Sequence, residues 1–278
     1  VRNTGLELSL GYGHTWNNNF RWDSNFTLSH NKNKIKELVR DYVHPETGEL
    51  INKDRLDVGG LGKARFILKE GGTLGDLYTQ SDLKRDDNGM VDIDPTGIVA
   101  IENNLPDIKL GSVFPKANLA WSNHFSWKGI SLSALFTARI GGIVYSATEA
   151  AMDQYGVSER SALARDNGGV LVNNRTLVDA QNYYTTIGSE SGLPQYYTYN
   201  ATNVRLQEAS IGYLIPRKWL GNVCDIQVSV IGRNLWMIYN KAPFDPESVA
   251  TTDNYYQGID YFMLPSTRNI GFNVKINF

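Results

Sequence analysis

A two-residue period of apolar and polar side chains dominates this sequence. Leu6, Leu8, Leu10 and Tyr12 alternate with Glu7, Ser9, Gly11 and Gly13. After the turn at Asn17, Asn18 and Asn19, residues Phe20, Trp22, Phe26 and Leu28 alternate with Arg21, Asp23, Asn25 and Thr27. The period returns at Leu119, Trp121, Phe125 and Trp127, crosses Lys128 and Gly129, and runs on through Ile130, Leu132, Ala134, Phe136, Ala138 and Ile140. It recurs at Ala209, Ile211, Tyr213 and Ile215, at Cys224, Ile226, Val228 and Val230, and at Ile270, Phe272, Val274, Ile276 and Phe278. Successive side chains of a strand point to opposite faces, so each segment predicts a strand with one apolar and one polar side. A weaker hairpin over 62–70 and 73–82, turning at Gly71 and Gly72, brings the expectation to about nine antiparallel strands.

Such strands fit either a half-buried soluble sandwich or a membrane barrel, whose strands present apolar residues to lipid and polar ones to a wet lumen. Charge placement separates the two. A Lys or Arg on the lipid face near the midplane costs about 2–4 kcal/mol, and Arg21, Asp23, Arg139, Asp225 and Lys275 all fall in the polar phase. Trp22, Trp121 and Trp127 lie near predicted strand ends, where a membrane interface favours them. Connections alternate between short turns and long loops, the long ones at about 32–61, 83–114, 146–203 and 239–267. Barrels have short periplasmic turns and long external loops, whereas structureless loops of this length are uncommon in a compact soluble domain. An all-β, antiparallel transmembrane barrel is therefore the expected fold. The odd strand count places the two chain ends on opposite sides, and residues 1–7 show no export leader. Both features lead to the expectation that these residues are the C-terminal portion of a larger barrel.

Composition removes other classes. Asp+Glu 29 against Lys+Arg 27 leaves no basic footprint for nucleic acid. No run of about 18 apolar residues is present for a membrane helix, and mean hydropathy is −0.33. The single thiol, Cys224, falls in an apolar phase and reads as packing. His14, His30, His44 and His124 lie in four separate segments without metal-ligand spacing or a neighbouring nucleophile. No catalytic set, metal site or cofactor is expected. The acidic run Asp86, Asn88, Asp92 and Asp94 lacks the EF-hand pattern and reads as a solvated turn. Arg139 and His124 are expected to face the lumen. The external loops are rich in tyrosine, and Tyr183, Tyr184, Tyr196, Tyr197, Tyr255 and Tyr256 are candidates for contact with substrate or a partner protein, because an aromatic face binds while its hydroxyl reaches a polar group. The alternative role is packing the loops.

Several blocks carry a more specific resemblance. The stretch GRNLWMIYNKAPFDPES (232–248) resembles the region before the last strand of SusC/RagA-like TonB-dependent transporters of the Bacteroidetes outer membrane. TGLELSLGYGHTWNNNFRWDSNFTLSHNKNKI (4–35), LKEGGTLGDLYT (68–79), VRLQEASIGYLIPRKWL (204–220) and RNIGFNVKINF (268–278) resemble the same family in the same order. Segment 147–173 is closer to the peptide-importing RagA branch. The resemblance implies a 22-stranded barrel with an N-terminal plug and a TonB box, neither of which is in these residues, and a SusD-like surface lipoprotein cap. It further implies active import of an oligosaccharide or oligopeptide, TonB acting through the missing N-terminal region, and Phe278 as the signal read by the barrel assembly machinery. A passive or adhesive barrel is the alternative function.

Overall fold

The computed structural model describes residues 1–251 and 256–277. Seven antiparallel strands form its largest sheet: β1 (Arg2–Thr15), β2 (Arg21–Lys34), β3 (Ala117–Trp127), β4 (Ile130–Ile140), β5 (Asn203–Ile215), β6 (Asp225–Asn240) and β7 (Asn269–Asn277). Each pairs with its sequence neighbours, so the sheet is an up-and-down meander with β1 and β7 at its edges. No described helix is long and apolar enough to cross a membrane.

Register makes the alternation a property of the whole sheet. One cross-strand row joins Leu10, Phe26, Trp121, Phe136, Leu206 and Trp236, and another joins Trp22, Phe125, Leu132, Ile211, Val230 and Phe272. The opposite face reads Ser9, Thr27, Ala120 and Thr137 in one row and Asp23, His124, Ser133 and Ser210 in the next. The apolar face is solvent-exposed along β1 and β7, where Leu10 is 57 % and Phe272 72 % exposed. A stripe of this extent on a soluble domain would be an interaction or aggregation surface; as a lipid face it follows from the pattern.

The connections 16–20, 128–129 and 216–224 lie at one end, and 35–116, 141–202 and 241–268 at the other. The wall holds seven strands rather than about nine. The segments expected as a further wall hairpin do pair, with Arg65 opposite Tyr78 and Phe66 opposite Leu77, but in a separate sheet ordered 108–112, 76–79, 64–69, 55–61. Ala64–Lys69 and Asp76–Thr79 are 6 and 4 residues long, and a membrane strand needs about 9–11. Phe66, Ile67 and Leu77 are fully buried, so these strands are walled in by protein on both sides. Their turn sits at the long-loop end, where Gly71 donates to the Ile35 carbonyl at 2.8 Å.

The long connections form one packed layer. Its core joins Ala64, Phe66 and Leu77 from the first, Tyr145, Ala150, Ile187 and Leu193 from the second, and Ile259 from the third. Helices α1 (Ala147–Gln154), α2 (Glu159–Asp166) and α3 (Ala180–Gly188) belong to the second. Ser146, Ser158 and Asp179 cap them by accepting the N–H of Glu149, Ser161 and Asn182.

Candidate functional site: the polar face and its outer layer

The polar face of β1 to β5 carries short hydroxyl and amide side chains, and β1 to β4 line a groove of about 640 Å³ that includes Ser9, Thr27, Ser29, Asn118, Thr137 and Arg139. Arg139 stands on the polar face of the sheet, with its Nη2 donating to the Val113 carbonyl at 2.7 Å. His124 shares that face, opposite Asp23.

Above the groove a charged latch holds the third long connection against the wall. Arg205, on β5, is buried and pairs with Asp245 at 2.8 Å and Glu247 at 3.2 Å. Burial works against the Asp245 charge, yet hydrogen bonds from Arg205 and Ser266 hold its carboxyl below the ordinary value. Glu247 also lines the groove, so this connection folds over the polar face. The arrangement was not legible beforehand, because Arg205 and Asp245 stand 40 residues apart and nothing local marks them as partners.

The outer layer has its own charged centre. The Asp153 side chain is fully buried and accepts from Ser158 Oγ at 2.6 Å, Arg160 Nε at 2.8 Å and the Tyr197 hydroxyl at 2.9 Å. Arg160 also lies over the Tyr197 ring, 4.9 Å from its centre. Burial, then the Asp153 charge, pushes the Tyr197 phenol far above its ordinary value, so it stays a donor. A second clamp, Arg55 and Lys69 on Asp107, holds that carboxyl far below the carboxylate range, chiefly through the Arg55 hydrogen bond.

The predicted tyrosines divide accordingly. Tyr197 is fully buried and packs the layer. Tyr183 and Tyr184 are half-buried with ring centres 5.3 Å apart, and they join Tyr196 against the same core; burial first, then its tyrosine neighbours, raises the Tyr183 phenol to about 12. Tyr256 stands apart, its ring 6.1 Å from Phe66. Tyr255 and Phe278 lie outside the described residues. In the acidic run, the Asp86 carboxylate accepts the Asn88 and Met90 N–H groups and the Asp94 carboxylate accepts those of Thr96 and Ile98. These are two copies of one turn, from the tandem stretches DDNGMVDI and DPTGIVAI (86–93 and 94–101). Among the described residues no three metal-ligating side chains gather.

No family model matches the chain. Its sequence is 25% identical over 308 residues to TonB-dependent receptor P3 of Formosa agariphila, covering 99% of this chain and 29% of that protein. It is 24% identical over 304 residues to TonB-dependent receptor P26 of the same organism, again covering 29% of the relative. The chain thus spans about three tenths of the length of the curated relatives it matches. Among solved structures, that of the RagAB peptide transporter superposes with a TM-score of 0.66 at 17% identity, over 99% of this chain and 29% of that one. Structures of the RagAB peptide importer in closed-closed and open-open states give 0.65 and 0.63 at the same identity. The resemblance to SusC/RagA-like TonB-dependent transporters read from the sequence blocks is borne out, and the sheet has the fold of the matching part of such a transporter. The relatives are receptors and transporters rather than enzymes.

Proposed function

We propose that these residues form barrel wall and outer vestibule of an outer-membrane importer that takes up an oligopeptide or oligosaccharide, driven by TonB through a region outside this sequence. The observation that carries the reading is the continuity of the polar wall with a single ordered outer layer. A barrel that only anchored or leaked would not need three long connections packed around one core, because ordering backbone costs about 1–2 kcal/mol per residue. The likeness to TonB-dependent receptors supports the energy source, and the likeness to the RagAB peptide transporter favours a peptide among the two substrate classes.

A SusD-like surface lipoprotein is the proposed cap. Tyr155, Val157, Leu163, Leu171 and Leu177 are exposed on the second long connection and offer the apolar surface that a protein partner would cover. Tyr184 and Tyr256 supply aromatic rings at the margin of the layer. Phe278, beside the alternation of β7, is the proposed contact for the barrel assembly machinery.

The test is uptake. Cells expressing the full-length protein with its neighbouring lipoprotein should accumulate labelled oligopeptides or oligosaccharides, and deletion of TonB should abolish accumulation while the folded barrel remains. Uptake that persists without TonB would favour the passive barrel.

A further inference from the structure

The apolar side of the β1–β2 hairpin ends in a group of cations that have no counter-charge among the described residues. The register that pairs Leu8 with Leu28 and Leu6 with His30 also pairs Thr4 with Lys32 and Arg2 with Lys34. Arg2, Lys32 and Lys34 therefore share the face of the leucines, two and three steps of the period beyond the last apolar pair, Leu8 and Leu28. All three are exposed, and none forms an ion pair among the described residues; the pairs nearby in sequence join Arg40 to Glu37 and Glu70. The opposite face of the same stretch carries only Asn3, Asn31 and Asn33, with Asn33 donating to Asn3 at 2.7 Å. Charge is thus confined to the membrane side.

Height decides what these cations meet. Ten positions separate Trp22, at the short-turn end, from Lys32, which is about 33 Å of strand at about 3.3 Å per residue. A strand tilted by about 40° converts this to about 25 Å along the membrane normal, the height of the apolar band of such barrels. Lysine stems at that level run along the band and lift their ammonium groups into the headgroup layer. This end carries the long connections, so the layer is the outer leaflet, whose glycolipids bear phosphates.

We infer that Arg2, Lys32 and Lys34 form a docking site for the phosphorylated glycolipid of the outer leaflet. The cations take its phosphates, and the stripe of Leu6, Leu8 and Leu10 takes its acyl chains. The inference rests on the barrel reading above. It gives the hairpin a role in fixing the wall's depth and lipid surroundings, separate from transport.

The experiment uses the full-length protein purified in mild detergent, with bound glycolipid counted by native mass spectrometry. A near-surface cation contributes about fivefold in affinity for anionic lipid, so the variant Arg2→Gln/Lys32→Gln/Lys34→Gln should lose retained glycolipid by up to about a hundredfold. The control Lys53→Gln/Arg175→Gln, in the outer connections, should retain it, and Lys32→Arg/Lys34→Arg should restore binding. Enzymatically dephosphorylated glycolipid should bind the unaltered protein as weakly as the triple variant binds the intact lipid. A heat-modifiable band for every variant separates lipid binding from failure of the barrel itself. Equal retention by the triple variant and the unaltered protein, or equal binding of dephosphorylated glycolipid, would overturn the inference.

Discussion

The indole of Trp121 donates its N–H to the Ser24 hydroxyl across the β2–β3 pair at 3.0 Å. Beside it, Trp22 donates in the same way to Asn123 at 3.1 Å. Both acceptors stand in the apolar phase, where a polar group is otherwise expensive. Each indole proton therefore has a protein partner and needs neither water nor headgroup, which lets Trp121 sit mid-strand rather than at the strand end the sequence suggested.

Replacing Ser24 by Ala should leave the Trp121 proton without a partner and cost about 1–2 kcal/mol. Adding Trp121→Phe should recover part of that loss. Urea unfolding of the full-length barrel in detergent measures both, and a Ser24→Ala variant as stable as the parent would refute the pairing's value.

The Arg205 latch should respond to acid. The Asp245 carboxyl is held below its ordinary value in the folded protein, so its contribution is complete above the unfolded pKa of about 4 and is lost as pH falls through the folded one. A nitroxide on a cysteine at Leu264, whose carbonyl accepts from Ser248 at 2.6 Å, should report an ordered connection at pH 7 and 5 and increasing mobility as acid protonates Asp245. Asp245→Asn should mobilise it at pH 7. A spectrum of Asp245→Asn at pH 7 identical to that of the parent would contradict the latch.

In the outer layer, Tyr197→Phe removes one of three donors to buried Asp153 and should cost about 1–2 kcal/mol of local stability. Arg160→Ala leaves that carboxylate without its cation and should cost about 3–5 kcal/mol. Hydrogen exchange over 147–200 in the assembled protein should rise in that order, with β2 and β3 unchanged. A uniform rise across wall and layer would mean the layer is not a separate cooperative unit.

Orientation follows from the alternation of connections. Single cysteines at Leu171 or Arg175 should react with an impermeant thiol reagent on intact cells, and cysteines at Lys128 or Asn18 only after the outer membrane is opened. Reversed labelling would invert the topology.

The wall was legible from the sequence because its information is local. Each apolar phase, from Leu6 to Tyr12 through Ile270 to Ile276, fixes a face without knowledge of the rest of the chain, and the seven phases agree in register. The 64–79 hairpin was equally visible as a hairpin but misplaced, since period alone does not distinguish a lipid face from a face buried under neighbouring loops; its short strands were the overlooked signal. The tandem turns at 86–101 were also readable, being a direct repeat. Asp153, Arg160 and Tyr197 were not, because their meeting depends on how α1, α2 and the strand that follows fold over one another. The tyrosine candidates share that limit: composition marked the loop as aromatic, and only packing assigned Tyr197 to its interior.

The account's central claim is that the alternation separates lipid from lumen, and a nitroxide scan of β2 in the full-length protein tests it most directly. Residues 22 to 29, labelled one at a time in bilayers, should show collision with oxygen highest at 22, 26 and 28 and with a polar nickel reagent highest at 25, 27 and 29, following the observed register. Loss of the two-residue period, or high access of the polar reagent at 26 and 28, would contradict it.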